Sequence, residues 1–229
     1  MTLVGHEGGA GTNVYLDGTR VARTNQGGLF YWSSSSPEAQ AFLPNSDSFL
    51  TFCIELTQDI AFGQPYEYNI IDMATAPMPG SNGTPMGDTG ARLIRELWYS
   101  HIDDATSSGM DAAGYTAAQR QGAFQMSIWE LVYDEGVEID LSSGLLTASN
   151  TDETTLATQW LNELGNAEDG FTYGNQASLA ALTSNTRQDQ LVEVEAAPVP
   201  EPSSLLAFAG LGMCFGAGSW WRRRRKPAA

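Results

Sequence analysis

One predicted helix carries a polar side chain on the side that should be buried. In residues 122–134, Gly122, Gln125, Trp129 and Val132 recur at steps of three and four, which places them on one side of an α-helix. Every member of this set except Gln125 is apolar or small. Burying a carboxamide is costly unless it is hydrogen-bonded or chemically changed. Gln125 is therefore expected to be either a satisfied core glutamine or one half of a reactive pair.

Cys53 is the candidate for the other half. Residues 48–56 predict a β-strand in which alternate positions from Leu50 to Leu56 form an apolar face, and Cys53 points to the opposite face. The second cysteine, Cys214, lies in an apolar C-terminal run, so a disulfide between the two is not expected. Cys53 is therefore predicted to be a thiol whose role needs an explanation.

Periodicity and turn signals predict an α+β domain over residues 1–195. The predicted strands are residues 13–16, 28–32, 48–56, 66–71 and 190–194. The predicted helices are residues 89–99, a segment capped by Thr116, and residues 153–164. Asp17 and Gly18 predict a hairpin turn, and residues 101–115 predict a polar loop. We expect a β-rich sandwich or barrel with about three helices packed on it.

The charge distribution argues against nucleic acid as a partner. The chain has 27 acidic and 11 basic residues, and five of the basic ones are residues 222–226. The first 221 residues therefore carry six arginines and no lysine, whereas phosphate contacts need a basic face. No metal or other cofactor is expected, because Asp103, Asp104 and Asp111 lack the spacing of a calcium loop.

The C-terminal residues divide into three parts. Residues 196–204 are a Pro-rich linker. Residues 203–221 are 19 uncharged, mostly apolar or small residues, enough for a single helix to cross a bilayer. Residues 222–229 form a basic tail, which the positive-inside tendency assigns to the cytoplasm. The sequence alone leaves open whether this helix is a retained anchor or part of a processing signal.

This three-part order resembles the PEP-CTERM sorting signal. The residues that carry the resemblance are Val199, Pro200, Glu201 and Pro202 before the apolar span, and Arg222, Arg223, Arg224 and Arg225 after it. The resemblance implies a Gram-negative bacterium in which a membrane enzyme, an exosortase, processes the tail at the inner membrane. The domain would then reach the cell surface or the extracellular matrix. Residues 1–7 lack the basic start and apolar stretch of the signal peptide that this family usually carries.

The globular part resembles the Cys–Gln thioester domains of surface adhesins. The segment from Phe52 to Glu55 resembles the cysteine strand of that family, and residues 124–129 resemble its glutamine helix, usually Thr-Gln-x-Ala-Ile-Trp. Phe124 replaces the threonine and Ser127 replaces the alanine. The resemblance implies a cross-link between Cys53 and Gln125. The residues expected around it are Phe52, Glu55, Phe124, Ile128, Trp129 and Glu130, with Glu55 or Glu130 as a candidate for proton transfer.

Three functions remain open from sequence alone. The first is a surface or matrix protein that attaches covalently, through a Cys53–Gln125 thioester, to an amine or hydroxyl of a partner; it is not a turnover enzyme. The second is a non-covalent matrix or carbohydrate-binding module, in which aromatic residues such as Tyr31, Trp32 or Tyr99 stack on sugars. The third is a cysteine hydrolase, which requires a histidine base. It ranks last because the only histidines are His6 and His101.

Overall fold

The computed structural model describes residues 1–43, 45, 47–77, 85–134, 139–165 and 178–195. The chain divides into two units, Met1–Glu195 and Ala196–Ala229, and every described residue belongs to the first. Within that described part, none of the helices has both the length and the apolar character needed to cross a bilayer. The predicted linker at 196–204, the predicted span at 203–221 and the basic tail at 222–229 lie outside the described residues.

The described residues form nine strands and four α-helices. The strands are β1 (Thr2–Gly8), β2 (Asn13–Leu16), β3 (Thr19–Arg23), β4 (Gly28–Ser33), β5 (Phe49–Cys53), β6 (Asn69–Ile71), β7 (Leu146–Ala148), β8 (Ser178–Thr183) and β9 (Gln190–Val194). The helices are α1 (Pro37–Phe42), α2 (Gly87–Thr106), α3 (Ala117–Tyr133) and α4 (Asp152–Glu163). The α+β class expected from the sequence is confirmed.

The strands form two separate antiparallel sheets. The larger has the order β1-β4-β5-β9-β8-β6, and the smaller has the order β3-β2-β7. Asp17 and Gly18 both have positive φ, 49° and 71°, and form the predicted hairpin turn between β2 and β3. Strands β1 and β6 stand at the two ends of the larger sheet's order, and Thr2 of β1 also forms an antiparallel bridge with Pro65, shortly before β6. The finer expectation of a sandwich or barrel stays a prediction.

Helices cover one face of the larger sheet. The Phe52 ring on β5 lies 5.9 Å from the Trp98 ring of α2 and 4.8 Å from the Phe124 ring of α3, measured between centroids. The preceding residue, Thr51, accepts a hydrogen bond from Trp32 Nε1 and donates one to Gln190 Oε1. Successive residues of a strand point to opposite faces. Phe52 therefore faces the helices and Thr51 faces the other side.

Helix α3 is the centre of the domain. Its residues from Arg120 to Val132 are all buried, and it packs against α2, α4 and β4. Thr116 caps its first turn in a reciprocal capping box with Gln119, as predicted. The buried Arg120 guanidinium donates to the carbonyl oxygens of Asp104 and Ser107 at the end of α2. This contact fixes the angle between α2 and α3.

Two sequence predictions about the helices are wrong. There are four described helices rather than three, because Ser36 caps the short helix α1 that begins at Pro37. Helix α2 continues to Thr106 through a stretch predicted to be a loop. Its extra turns are held by a tertiary contact: the His101 ring stacks on Trp160 of α4 with centroids 4.8 Å apart.

A buried carboxylate ties the segment after β1 to helix α4. Glu153, 1% exposed, accepts hydrogen bonds from the backbone N–H groups of Ala10 and Thr12 and from the hydroxyls of Thr12 and Thr24. A buried charge is tolerated when its hydrogen bonds are made. The same carboxylate lies against Gly122, where an added Cβ would overlap Glu153 Oε1. The glycine on α3 is therefore a packing requirement.

We expect Gly122→Ala to destabilise the domain by about 1–3 kcal/mol, since the new methyl group overpacks the Glu153 contact. Urea unfolding of the full chain measures the change. A double-mutant cycle with Glu153→Asp, whose carboxylate is withdrawn by one methylene, tests the cause. Equal costs of Gly122→Ala in both backgrounds would contradict it.

Candidate functional site

Helix α3 and strand β5 bring Cys53 and Gln125 into direct contact. Cys53 is the last residue of β5 and Gln125 lies in the middle of α3, and both are fully buried. The Gln125 side chain accepts a hydrogen bond from the Cys53 backbone N–H at 3.1 Å through Oε1. It donates one to the Cys53 carbonyl oxygen at 2.7 Å through Nε2. The carboxamide thus pairs with Cys53 in the way that a neighbouring strand would.

A third backbone group reaches the same carboxamide. The N–H of Gly28, at the start of β4, donates to Gln125 Oε1 at 3.2 Å. The preceding Gly27 packs against the side chains of Trp129 and Gln125. An added Cβ there would be 2.7 Å from the Trp129 ring and 3.1 Å from Gln125 Cγ. The turn at Gly27 and Gly28 therefore closes over Gln125.

The Cys53 sulfur is a free thiol in a dry environment. The Trp129 indole Nε1–H donates to Cys53 Sγ at 3.2 Å. Burial raises the pKa of the Cys53 thiol well above its ordinary value; the Trp129 hydrogen bond lowers the pKa, and the nearby Glu55 carboxylate raises it further. The thiol is accordingly protonated at neutral pH. A nucleophilic attack by this sulfur requires that its proton be transferred.

The predicted apolar surroundings of the pair are present. Phe52, Phe124, Ile128 and Trp129 are all buried, each at 1% exposure or less. Phe124 replaces the threonine of the resembled motif, and its ring packs on Phe52. Together these side chains surround the pair with buried apolar atoms.

The two candidate proton carriers occupy different places. Glu55 is electrostatically coupled to the Cys53 thiol, and its Oε1 accepts hydrogen bonds from the Thr57 N–H and hydroxyl. Glu130 instead faces Asp134 and Asp140, and its Oε1 accepts the Asp140 N–H at 2.9 Å. Of the two, Glu55 is the one whose charge acts on the sulfur.

Glu130 is a buried acid whose chemistry is set by its surroundings. Burial raises its pKa from 4.5 to about 8, with the Asp134 charge as the next cause. Its Oε2 has no hydrogen-bond partner among the described residues. A carboxyl group in such a site favours the neutral form.

A cavity of about 340 Å³ lies against Trp129 and Gly27, two residues that contact the pair; Cys53 and Gln125 themselves do not line it. His6, Gly27, Phe30, Gln58 and Trp129 are among its lining residues. In the part of the chain that the structure describes, no group of three or more His, Cys, Asp or Glu side chains is arranged to hold a metal ion. The side chain of Trp129 therefore separates this cavity from the Cys53 sulfur, to which its indole N–H donates.

Sequence analysis did not identify Gly27, Gly28 or His6 as part of this site. His6 lies on β1, where its ring stacks on Phe30 with centroids 4.6 Å apart and its Nε2 lies 3.1 Å from the Gly27 carbonyl oxygen. The sequence feature that could have identified this turn is the pair Gly27 and Gly28, where the predicted strand 28–32 begins. Gly28 has φ of 115°, a conformation that favours glycine.

The positions of the histidines and of the aromatic side chains bear on the two alternative functions, a cysteine hydrolase and a sugar-binding module. Neither His6 nor His101 is a hydrogen-bond partner of the Cys53 sulfur in the described part of the chain; that partner is Trp129. His101 lies instead between α2 and α4, near Glu163. Trp32 is 0% exposed, so stacking of a sugar on its ring is excluded, whereas Tyr99 is 53% exposed.

The comparisons with known proteins concern the C-terminal residues. A family model described as the PEP-CTERM protein-sorting motif matches residues 198–226. The motif indicates export and surface sorting through an exosortase in a Gram-negative bacterium. The matched residues lie outside the described part of the chain, as do the predicted sorting residues Val199, Pro200, Glu201, Pro202 and Arg222, Arg223, Arg224, Arg225. Neither a curated protein nor a solved structure matches the chain.

We expect Gln125→Met to destabilise the domain by about 3 kcal/mol, because the apolar replacement leaves the Cys53 and Gly28 backbone groups buried without partners. Cys53→Ala protein is the appropriate background, since no covalent chemistry can then contribute. Chemical unfolding measures the loss. Gln159→Met, at an exposed position of α4, is the matched control and should change stability by less than about 0.5 kcal/mol. If Gln125→Met lowers the free energy of unfolding no more than Gln159→Met does, the carboxamide contacts contribute little to stability.

We expect Glu130→Gln to remove a decline in stability with rising pH. Between the unfolded pKa of 4.5 and the folded pKa of about 8, the folded chain keeps a proton that the unfolded chain has released. The contribution is therefore fully present below the lower value and is lost towards the higher one, with a slope of at most about 1.4 kcal/mol per pH unit. The neutral glutamine has no such slope and still accepts the Asp140 N–H.

Urea unfolding from pH ~5 to ~8 measures the slope of each protein. Glu195→Gln, at an exposed glutamate, is the control and should leave the wild-type slope intact. If Glu130→Gln and wild type show parallel profiles, Glu130 is not the titrating group.

Proposed function

We propose that the chain is an exported surface or matrix protein in which Cys53 and Gln125 form an internal thioester for covalent attachment to a partner. The observation that carries the proposal is the pairing of the Gln125 carboxamide with the backbone of Cys53, at 3.1 and 2.7 Å, in a site with no exposed atoms. The sorting motif supports a location in which such a bond would be useful. The target is an amine or hydroxyl on a surface molecule or extracellular polymer.

Formation of the thioester is a balanced exchange. Cys53 Sγ attacks the Gln125 carboxamide carbon, the new S–C bond forms, and the carbonyl electrons move onto Oε1. The thiol proton passes to Nε2, the C–N bond breaks and ammonia leaves. Because an amide is a poor electrophile, the reaction depends on holding the two groups together, and orientation can contribute several kcal/mol towards that barrier.

The proton transfer is the demanding part of this reaction. The thiolate is the reactive form of cysteine, and burial raises the pKa of the Cys53 thiol. The Trp129 indole donor opposes this effect, and the Glu55 carboxylate is close enough to act on the thiol electrostatically. We assign proton transfer to Glu55 rather than Glu130, since Glu130 faces Asp134 and Asp140.

In the capture step, a partner nucleophile displaces the Cys53 sulfur from the Gln125 carbonyl carbon. An amine or hydroxyl attacks the carbonyl carbon, the S–C bond breaks, and the Cys53 sulfur takes up a proton. The product is an amide or ester joining Gln125 to the partner, with a regenerated thiol. The site reacts once, so the protein acts as a covalent binder and not as a turnover enzyme.

We expect freshly purified full-length protein to be lighter than its sequence mass by one ammonia and to gain methylamine on incubation. Intact mass spectrometry measures both changes. Cys53→Ala should abolish them, because the nucleophile is lost. The matched control is Cys214→Ala, which removes the only other cysteine and should leave both unchanged. An unmodified mass in fresh protein, together with a free thiol at Cys53, would rule the thioester out.

The alternative proposal is a non-covalent carbohydrate-binding or structural module. One feature favours it: an open groove of about 850 Å³ lined mainly by hydroxyl and amide side chains, with Tyr66, Tyr68 and Arg187 among its residues. The Arg187 guanidinium lies 5.2 Å from the centre of the Tyr66 ring. The mass measurement separates the two proposals, because this function needs no loss of ammonia.

A further inference from the structure

We infer that the backbone N–H groups of Cys53 and Gly28 form an oxyanion hole for Gln125 Oε1, and that His6 holds the Gly28 donor in place. This inference rests on the proposed thioester and assigns the groups that would stabilise its reaction. The two donors lie 3.1 and 3.2 Å from the oxygen. Both bonds are buried, so water does not compete with them.

Negative charge develops on this oxygen in both directions of the reaction. Attack on the Gln125 carbonyl carbon, by the Cys53 sulfur or later by a partner nucleophile, moves electrons onto Oε1. Donors already aimed at that atom strengthen as the charge grows, and they need no reorganisation. Formation and capture would therefore depend on the same two N–H groups.

Cys53 supplies its donor as the nucleophile's own residue, on the end of β5. Its N–H is therefore set by the strand that presents the sulfur. Gly28 supplies the second donor from the start of β4. A Cβ at Gly28 would lie 2.7 Å from the Glu7 carbonyl oxygen, and φ is 115°, so another residue type would strain this position.

The orientation of the Gly28 donor is controlled through one peptide group. The carbonyl of Gly27 and the N–H of Gly28 belong to the same planar unit. Its N–H points to Gln125, and its oxygen lies 3.1 Å from His6 Nε2. A carbonyl oxygen can only accept, so His6 Nε2 carries the proton in this contact. Rotation of the peptide plane would break both bonds together.

His6 is therefore a positioning residue, which acts through the Gly27–Gly28 peptide. Its ring is stacked on Phe30, which fixes the position of the imidazole. The sequence pairs this histidine on β1 with a glycine turn about twenty residues later, across the β1–β4 ladder. The arrangement gives a role to a half-buried histidine that the thioester chemistry itself does not use.

The direct test replaces Gly28 by glycolic acid in the full-length chain, so that a backbone ester takes the place of the amide and the N–H is lost. We expect ammonia loss on folding, and methylamine capture, to slow by about a hundredfold, the usual effect of removing one oxyanion donor. The same ester at Gly18, an exposed turn position with no described atom within 4 Å of its Cβ, should react like wild type.

A second pair of variants tests the role of His6. His6→Phe keeps a ring against Phe30 but removes the donor to Gly27, and it should slow both reactions. His6→Gln places an amide N–H near the position of Nε2 and should restore the rate. These two His6 variants also test the oxyanion hole if the chain with the Gly28 ester fails to fold.

A spectroscopic signature separates this role from a purely structural one. With ¹³C-labelled glutamine, the infrared stretch of the thioester carbonyl reports the hydrogen bonds to Oε1. It should shift to higher frequency in the Gly28 ester and in His6→Phe, and return in His6→Gln. If wild type forms the thioester, but these variants match its rates and carbonyl frequency, the oxyanion hole is wrong and the thioester stands. If fresh wild type retains its ammonia, both are wrong.

Discussion

The Gln125 carboxamide completes the hydrogen bonding of strand β5 from within a helix. Its oxygen accepts from Cys53 and Gly28, and its nitrogen donates to the Cys53 carbonyl. Buried backbone groups without partners are costly, so these three contacts make it possible for the end of β5 and the start of β4 to be covered by α3. They also set the register between the helix and the sheet, because Gln125 can satisfy all three groups only at one position along α3.

The same contacts serve a stable core and a reactive site. A glutamine that only filled a structural role would need the three backbone partners and nothing more. The surroundings of the sulfur distinguish the site from such a case, because an indole N–H donates to Cys53 Sγ. In the proposed reaction this donor acts on the attacking sulfur, while the N–H groups of Cys53 and Gly28 act on the carboxamide oxygen.

The proximity of Gln125 and Cys53 could be predicted because Gln125 breaks the apolar side of its helix, Cys53 lies off the apolar face of its strand, and the two segments resemble a Cys–Gln pair. The helix capped by Thr116 and the turn at Asp17 and Gly18 were predictable for the same reason, as both are signalled by adjacent residues. The contribution of Gly28 could not be predicted in this way, because it depends on the register of β1 against β4. The extension of α2 through His101 was missed because its support, Trp160, belongs to another helix.

Burial has opposite effects on the two stages of the proposed chemistry. It would keep water from a thioester once formed, but it also raises the pKa of the Cys53 thiol, which hinders the attack that would form the bond. The Trp129 donor shifts this balance, because a hydrogen bond to sulfur stabilises a thiolate more than a neutral thioester sulfur. It therefore assists whenever negative charge is present on sulfur, both as Cys53 attacks and as it leaves during capture. In the proposed reaction, one donor to sulfur and two donors to oxygen would stabilise the developing charges within a buried site.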